Sequence, residues 1–411
     1  MESLIFLWDF NLISEYIKKY DSFHRVVVLD KRRKNINLKE LEKIYDEVIV
    51  VEDANNNILV GDVLEEINKK YKIKAIYATF ENFVEVAGYL RTRFNIQGLN
   101  EEDSLNVRNK FLMKKVAEKH NIKCAAVEMI KGKESIEKFI ENYGFPIIIK
   151  PIDGAGTKLT YKIDDVAKLE EVCKLISLYD KKGLYSGNYI IEEFVYGEEY
   201  ECDSIVQNGE VIFSTVGKYL TNLINTVNSE TALGVITYPD KSNDDIVEKI
   251  KEFNKKVVKS FNCENTITHL EVFIDKDGEV IFSELAARIG GGPVIGNNIK
   301  SIYNVNIYES FVDLEINKIK VDSDEFSQCY AGCITFPYKN GEILEISKED
   351  DFKDISGIVE VKIFNKVGDI LGDKDDTSKR TGYIIINDTN LSSLKQKLSD
   401  ANKNFLLITQ N

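Results

Sequence analysis

Carboxylates, lysines and glycines in the middle of this chain recur at spacings that suit the handling of phosphate. His269-Leu270-Glu271-Val272-Phe273 is followed, across a turn at Asp277-Gly278, by Phe282-Ser283-Glu284-Leu285-Ala286-Ala287-Arg288. Both runs read as strands of one hairpin, and side chains on a strand alternate faces with period two. His269, Glu271 and Phe273 are thus predicted to share one face, as are Phe282, Glu284, Ala286 and Arg288 on the neighbouring strand. Two glutamates turned the same way on adjacent strands make a hard-oxygen site for Mg²⁺. As plain core such carboxylates would be costly. An ion held there can bridge nucleotide phosphates and neutralise charge that develops during phosphoryl transfer.

Three further runs fit the same chemistry, each with a plainer alternative. Ile289-Gly290-Gly291-Gly292-Pro293 lets backbone N–H groups approach an anion beside the Arg288 guanidinium, or is simply a tight turn. Lys150 ends the apolar strand Pro146–Lys150, and Asp153-Gly154-Ala155-Gly156-Thr157 follows. A lysine there reaches phosphates while turn amides close over them; otherwise it is a surface lysine on a flexible hairpin. Glu192-Glu193-Phe194-Val195 leaves a strand toward Gly197 and Glu199. Freed backbone groups suit an adenine edge and Glu199 suits ribose hydroxyls, or the run is an acidic, solvated loop. His269 is one of only 3 histidines. It can orient a carboxylate, accept a proton near neutral pH, or hold a neighbouring ligand in place.

The elements that must position these residues alternate early in the chain. Strands at Leu4–Trp8, Arg25–Leu29, Glu47–Val51 and Ala75–Thr79 alternate with helical stretches at Leu12–Tyr20, Val60–Tyr71 and Phe83–Phe94. That order predicts a parallel, doubly wound α/β sheet. No GxGxxG follows the first strand and GxxxxGK[ST] is absent. Beyond it come a charged helix at Arg108–Lys119, a hairpin around Asn208-Gly209, and an amphipathic helix at Ile246–Phe261. Short β-branched segments, a helix at Leu391–Asn402 and a strand at Phe405–Ile408 fill the last eighty residues or so.

Bulk properties narrow the classes. At 411 residues the chain needs two or three domains, and a net charge of -14 argues against a nucleic-acid partner. The cluster Lys31-Arg32-Arg33-Lys34 reads as a solvated loop. The 6 cysteines form no CxxC pair, which points to reduced thiols. Asp9 interrupts the first apolar run, so neither signal peptide nor membrane span is expected, and the cytoplasm is the expected location.

In order and spacing these features resemble the ATP-grasp superfamily, particularly its amino-acid ligase, carboxylate–amine ligase branch, along nearly the whole chain. The resemblance implies an N-terminal pre-ATP-grasp α/β domain over residues 1–108. An ATP-grasp domain would follow over 109–327, with a lid at roughly 122–190, and then a β-rich C-terminal ligase domain over 328–411. It also implies ATP as cosubstrate with Mg²⁺, or Mn²⁺ in its place. Lys110 and Lys150 would contact phosphates, and Asp153, Gly154, Gly156 and Thr157 would form the lid's glycine-rich loop. Glu192, Glu193, Phe194 and Val195 would hold adenine, and Glu199 ribose. Glu271 and Glu284 would bind the metal, and Arg288 the carboxylate or phosphate. Many relatives have asparagine where this chain has Ala286; the form Glu284-Leu285-Ala286-Ala287-Arg288 favours the amino-acid ligase branch over biotin carboxylases.

The implied chemistry is ATP-dependent, ADP-forming ligation of a small carboxylate to an amine through an acyl phosphate, with an amino acid as one substrate. Catalysis would rest on Lys150, Arg288 and His269. A carrier-protein acceptor and a homodimer are compatible with it. Arg380, in Thr377-Ser378-Lys379-Arg380-Thr381-Gly382-Tyr383, either faces the site or lies on a strand edge, and Lys218–Asp240 is placed where relatives carry substrate loops. A biotin-dependent carboxylase, a purine-pathway ligase and a non-catalytic nucleotide-binding module remain as alternatives.

Overall fold

Runs such as Ile5-Phe6-Leu7 and Val26-Val27-Val28-Leu29 are apolar on both faces, as a sheet covered on both sides requires. In the computed structural model they form a parallel sheet in the order Glu47–Val51, His24–Asp30, Glu2–Leu7, Lys72–Ala78. The helices Asn57–Lys70 and Val84–Phe94 follow its third and fourth strands along the chain. The structure describes residues 1–8, 12–32, 37–226, 232–291, 293–316, 319–372 and 379–410, with backbone alone at 11 and 293. Gly292, Thr377, Ser378, Arg33, Lys34 and residues 227–231 of the Lys218–Asp240 segment lie outside the described residues.

Asn109 decides where the next helix begins. Its side chain accepts from the N–H groups of Phe111 and Leu112, so the helix runs Lys110–Lys119 and leaves Arg108 ahead of the cap. Lys110 therefore sits in the first turn, and its backbone N–H donates to Ile152 O at 2.8 Å.

A separate antiparallel sheet follows, in the order Val127–Met129, Tyr189–Glu193, Ile147–Pro151, Tyr161–Ile163. With the helices Lys133–Tyr143 and Val166–Tyr179 it encloses its own apolar cluster, including Ile147, Ile149, Val172, Ile176 and Ile191.

The largest sheet has eight strands, in the order Val280–Ala286, Thr266–Ile274, Glu198–Gln207, Glu210–Tyr219, Gly234–Thr237, Tyr330–Thr335, Gly382–Asp388, Ile358–Ile363. Its last three strands come from beyond residue 328, so the sheet continues without a break into the C-terminal part. Side chains from both parts share apolar clusters: Tyr219, Val235 and Val294 pack with Cys333, Tyr383 and Ile385. No helix among the described residues is long and apolar enough to cross a membrane.

Candidate active site

Register on the large sheet sets the floor of the site. Glu271 lies opposite Glu284 on one side and Glu201 on the other; His269 lies opposite Ala286 and Asp203, and Phe273 opposite Glu199. One face of three adjacent strands thus carries Glu199, Glu201, Asp203, His269, Glu271 and Glu284. A bulge at Ser283 corrects one expectation. Phe282 pairs with Val272, on the opposite face from Glu284, and is fully buried in the main core. An extra residue in one strand shifts the alternation by one, so every side chain beyond it changes face.

Two lysines from separate elements meet over this floor. Lys110 Nζ lies 2.9 Å from Glu284 Oε2, and Lys150 Nζ lies 2.8 Å from Glu284 Oε1 and 3.0 Å from Glu192 Oε2. Burial works against the Lys150 charge, but Glu192 and Glu284 outweigh it and hold the ammonium above its ordinary value. Burial likewise opposes the Glu284 charge, and Lys110 and Lys150 hold that carboxyl well below the usual range. Lys114, buried, stands 3.8 Å from Glu192 Oε1 and donates to Phe282 O at 3.3 Å.

The glycine-rich loop closes on the same point. Gly154 O accepts from Lys110 Nζ at 2.9 Å and from Arg108 Nη1 at 3.3 Å. Gly156 has φ +63, a left-handed backbone open to glycine at little cost, and Thr157 follows at φ +60. Gly154, Gly156 and Thr157 line the cleft; Asp153, expected with them, is exposed and stays off it. The turn offers backbone inward and sends that carboxylate to solvent.

Where the strand Tyr189–Glu193 ends, Glu192, Glu193, Phe194 and Val195 all line the cleft. Glu199 Oε2 accepts from Leu223 N at 2.6 Å. Burial, with Glu271 nearby, pushes the Glu199 carboxyl up to about 8. Burial and Asp203 push Glu201 up to about 8 as well.

At the other end, Arg288 is tied to Glu81 through Nε, and its Nη1 donates to Ile289 O at 2.9 Å. Burial opposes the Arg288 charge, but Glu81 raises its guanidinium above the ordinary value. The glycine turn after Arg288 runs into the helix Pro293–Tyr303, whose N-terminal end favours an anion. His269 Nδ1 sits 3.0 Å from Asp203 Oδ1, and Nε2 sits 3.4 Å from Glu271 Oε1. Burial lowers its affinity for a proton, but Asp203 and Glu271 raise it well above the usual histidine value.

The cleft so formed has a volume of about 470 Å³, the size of a small-molecule site. Its walls also include Tyr219, Leu223, Leu233, Val235, Cys333 and Arg380. Arg380 therefore faces the cleft, as do Asn222, Ile224 and Gly234 of the Lys218–Asp240 segment. Sequence reasoning missed Glu81, Arg108, Glu201 and Asp203. Period two extended along Glu199–Gln207 would have found Glu201 and Asp203; Glu81 lies 207 residues from its partner Arg288 and carries no local signal.

Residues 143–296 match a family model described as an ATP-grasp domain, and residues 334–408 match L-amino acid ligase C-terminal domain 2. The chain thus carries an ATP-grasp domain. The chain also carries an L-amino acid ligase C-terminal domain. It is 27% identical over 333 residues to an L-arginine-specific L-amino acid ligase of Bacillus subtilis, covering 81% of this chain and 79% of that one. It is 23% identical over 362 residues to dapdiamide A synthase of Enterobacter agglomerans, covering 85% and 82%. The crystal structure of an L-amino acid ligase from Bacillus licheniformis superposes with a TM-score of 0.78 at 17% identity, over 100% of this chain and 99% of that one.

Proposed function

We propose that this chain joins a carboxylate to an amine at the expense of ATP, releasing ADP and phosphate, with an amino acid as one substrate. One observation carries the assignment of roles: Lys110 and Lys150 converge on Glu284, opposite Glu271, beneath the Gly154 carbonyl. Two cations beside two opposed carboxylates match a triphosphate with its counter-ion, and a core has no use for them.

Glu271 and Glu284 are hard oxygen donors directly opposed on antiparallel strands, and this donor set fits Mg²⁺ or Mn²⁺. Bound there, the ion supplies charge neutralisation for the ATP phosphates. The chain's own side chains do the rest. Lys110 and Lys150 offset charge on the phosphate oxygens as the substrate carboxylate attacks the γ-phosphorus and ADP departs. Phe194 and Val195 lie where the adenine edge would rest, and Glu199 beside the ribose. Arg288, kept in place by Glu81, holds the anionic acyl phosphate with the amides of the glycine turn. The neutral amine nitrogen then attacks the acyl carbon, the carbon–oxygen bond to the phosphate breaks, and the departing phosphate takes up the proton that the nitrogen loses. The lid, through Gly154 to Thr157, excludes water that would hydrolyse the intermediate. The second substrate would lie against Leu233, Val235, Cys333 and Arg380, which also line the cleft.

A screen of purified protein with ATP, Mg²⁺, single amino acids and hydroxylamine tests the proposal. Hydroxamate formation accompanied by phosphate release identifies the activated acid. Nucleotide binding with no ADP formed from any acid and amine pair would leave a binding module instead.

A further inference from the structure

We infer that Asp203 and His269 form a positioning pair for Glu271, and that this pair, more than the strand alone, sets how Glu271 is presented to Glu284. The inference rests on the reading of Glu271 and Glu284 as the cation site. Asp203 has 1% exposure and stands opposite His269 in the sheet register. Its Oδ1 takes Nδ1 of the ring at 3.0 Å, which fixes the ring plane and leaves Nε2 directed at Glu271 Oε1, 3.4 Å away. Oε1 of Glu271 thus has a held ion-pair neighbour, and Glu271 itself lines the cleft. A ligand carboxylate with a fixed outer partner loses fewer rotamers on binding an ion, and such outer contacts are worth roughly 10- to 100-fold in metal affinity.

The glycine turn depends on the same pair. A Cβ at Gly290 would come within 2.4 Å of His269 Nδ1 and 2.8 Å of Asp203 Oδ1. The ring and its carboxylate therefore occupy the space under the anion-binding turn, and only glycine allows the chain to cross there. Through His269 and beneath Gly290, Asp203 thus acts on both the cation end and the anion end of the site, and it does not itself line the cleft.

A different reading of the cluster is a second metal centre, since Glu201, Asp203 and His269 bring ligand atoms within 4.8 Å of one another. Glu201 Oε2 and Asp203 Oδ2 are buried without a hydrogen-bond partner. Against that reading, Nδ1 is already engaged by Asp203, Nε2 faces Glu271, and Gly290 closes over the ring.

The test has three arms. Asp203→Asn and His269→Gln, each alone and together, are titrated with Mn²⁺ in the presence of a non-hydrolysable ATP analogue, with ion binding read by electron paramagnetic resonance. Each single change should weaken the ion about tenfold, leave nucleotide binding in EDTA unaltered, and raise the Mg²⁺ needed for half-maximal rate more than it changes the KM for the acid. The double variant should be no weaker than the poorer single one, because both act through one contact. Additive losses, or normal ion affinity in folded variants, would overturn the pair. Glu271→Gln is run alongside. Unchanged ion affinity there sinks the cation-site reading itself, whereas a shift there with none in Asp203→Asn sinks only the pairing. The third arm uses the unmodified protein and needs no variant to fold. With 3 histidines in the chain, ¹⁵N-histidine spectra are simple. Addition of Mg²⁺ with the analogue should move the Nε2 resonance of His269 and hardly touch Nδ1; a still Nε2 contradicts the proposal. A stoichiometric metal retained through EDTA dialysis, with Nδ1 or Nε2 metal-shifted at the outset, would instead establish the second centre.

Discussion

Replacing Lys150 with methionine removes a buried cation from between two buried carboxylates, and the structure says which of them suffers. Glu284 keeps Lys110 at 2.9 Å. Glu192 keeps only Lys114 at 3.8 Å, and its Oε1 already lacks a hydrogen-bond partner. Removing one partner of a buried ion pair costs about 3–5 kcal/mol. With Lys114 nearby, the lower end applies, so Lys150→Met should destabilise the nucleotide-free protein by about 3 kcal/mol at pH 8. The folded-state value of Lys150 lies above its ordinary 10.5, so its contribution is complete at neutral pH and is lost only as pH rises past that range. Lys150→Met/Glu192→Gln should recover about 2 kcal/mol of the loss, since it removes the stranded charge. ATP affinity should stay reduced by roughly 10- to 100-fold in both, the scale of a lost charged hydrogen bond. Urea unfolding at pH 8, with calorimetric titration of an ATP analogue, measures all of this. Equal stability of parent and Lys150→Met, or a double variant no more stable than the single one at pH 8, would refute the reasoning.

Glu284→Gln should weaken Mg²⁺ dependence of the rate, yet bind nucleotide in EDTA as tightly as the parent or more so, because Lys110 and Lys150 are released; an unchanged Mg²⁺ titration counts against the site. Arg288→Ala should lose about 100-fold or more in product formation with ATP binding nearly intact, and matched small losses would reduce Arg288 to a turn residue. Arg380→Gln should raise KM for the amine while hydroxamate formation with hydroxylamine is unaffected, and equal effects on both would move Arg380 out of the acceptor end. Asp388 receives bonds from Lys397 Nζ, Ser393 Oγ and Asn390 N, and these hold its carboxyl below the ordinary 3.8. Its contribution is present above that value and lost as pH falls through the folded-state range. Asp388→Asn should thus cost on the order of 1 kcal/mol near neutral pH and less in acid, read from melting temperatures at pH 3 and 7.

The sequence by itself determined the elements and the types of residue available for chemistry. Alternating apolar strands and helices near the N-terminus foretold the parallel sheet, because a two-sided strand has no stable place except between layers. Thr268–Ile274 and Val280–Ala286 were legible as the two strands of one hairpin carrying Glu271 and Glu284, but unbroken period two counted from the Ile274–Val280 pair would have set Glu271 opposite Ser283, and it is the bulge that brings Glu284 there. Only the tertiary structure decided the rest. The bulge at Ser283 turned Phe282 into the core, and nothing in the residue types marks a bulge when both neighbours fit a strand. Lys110, Lys150 and Glu284 come from three separate elements, and Glu81 reaches Arg288 across 207 residues. Such meetings depend on how layers pack, a sum of many weak contacts with no local signature. His269 shows the division at one residue. Its place beside Glu271 was legible in a period of two, but its charge and its use depend on Asp203, which the sheet brings to it from a strand 66 residues away.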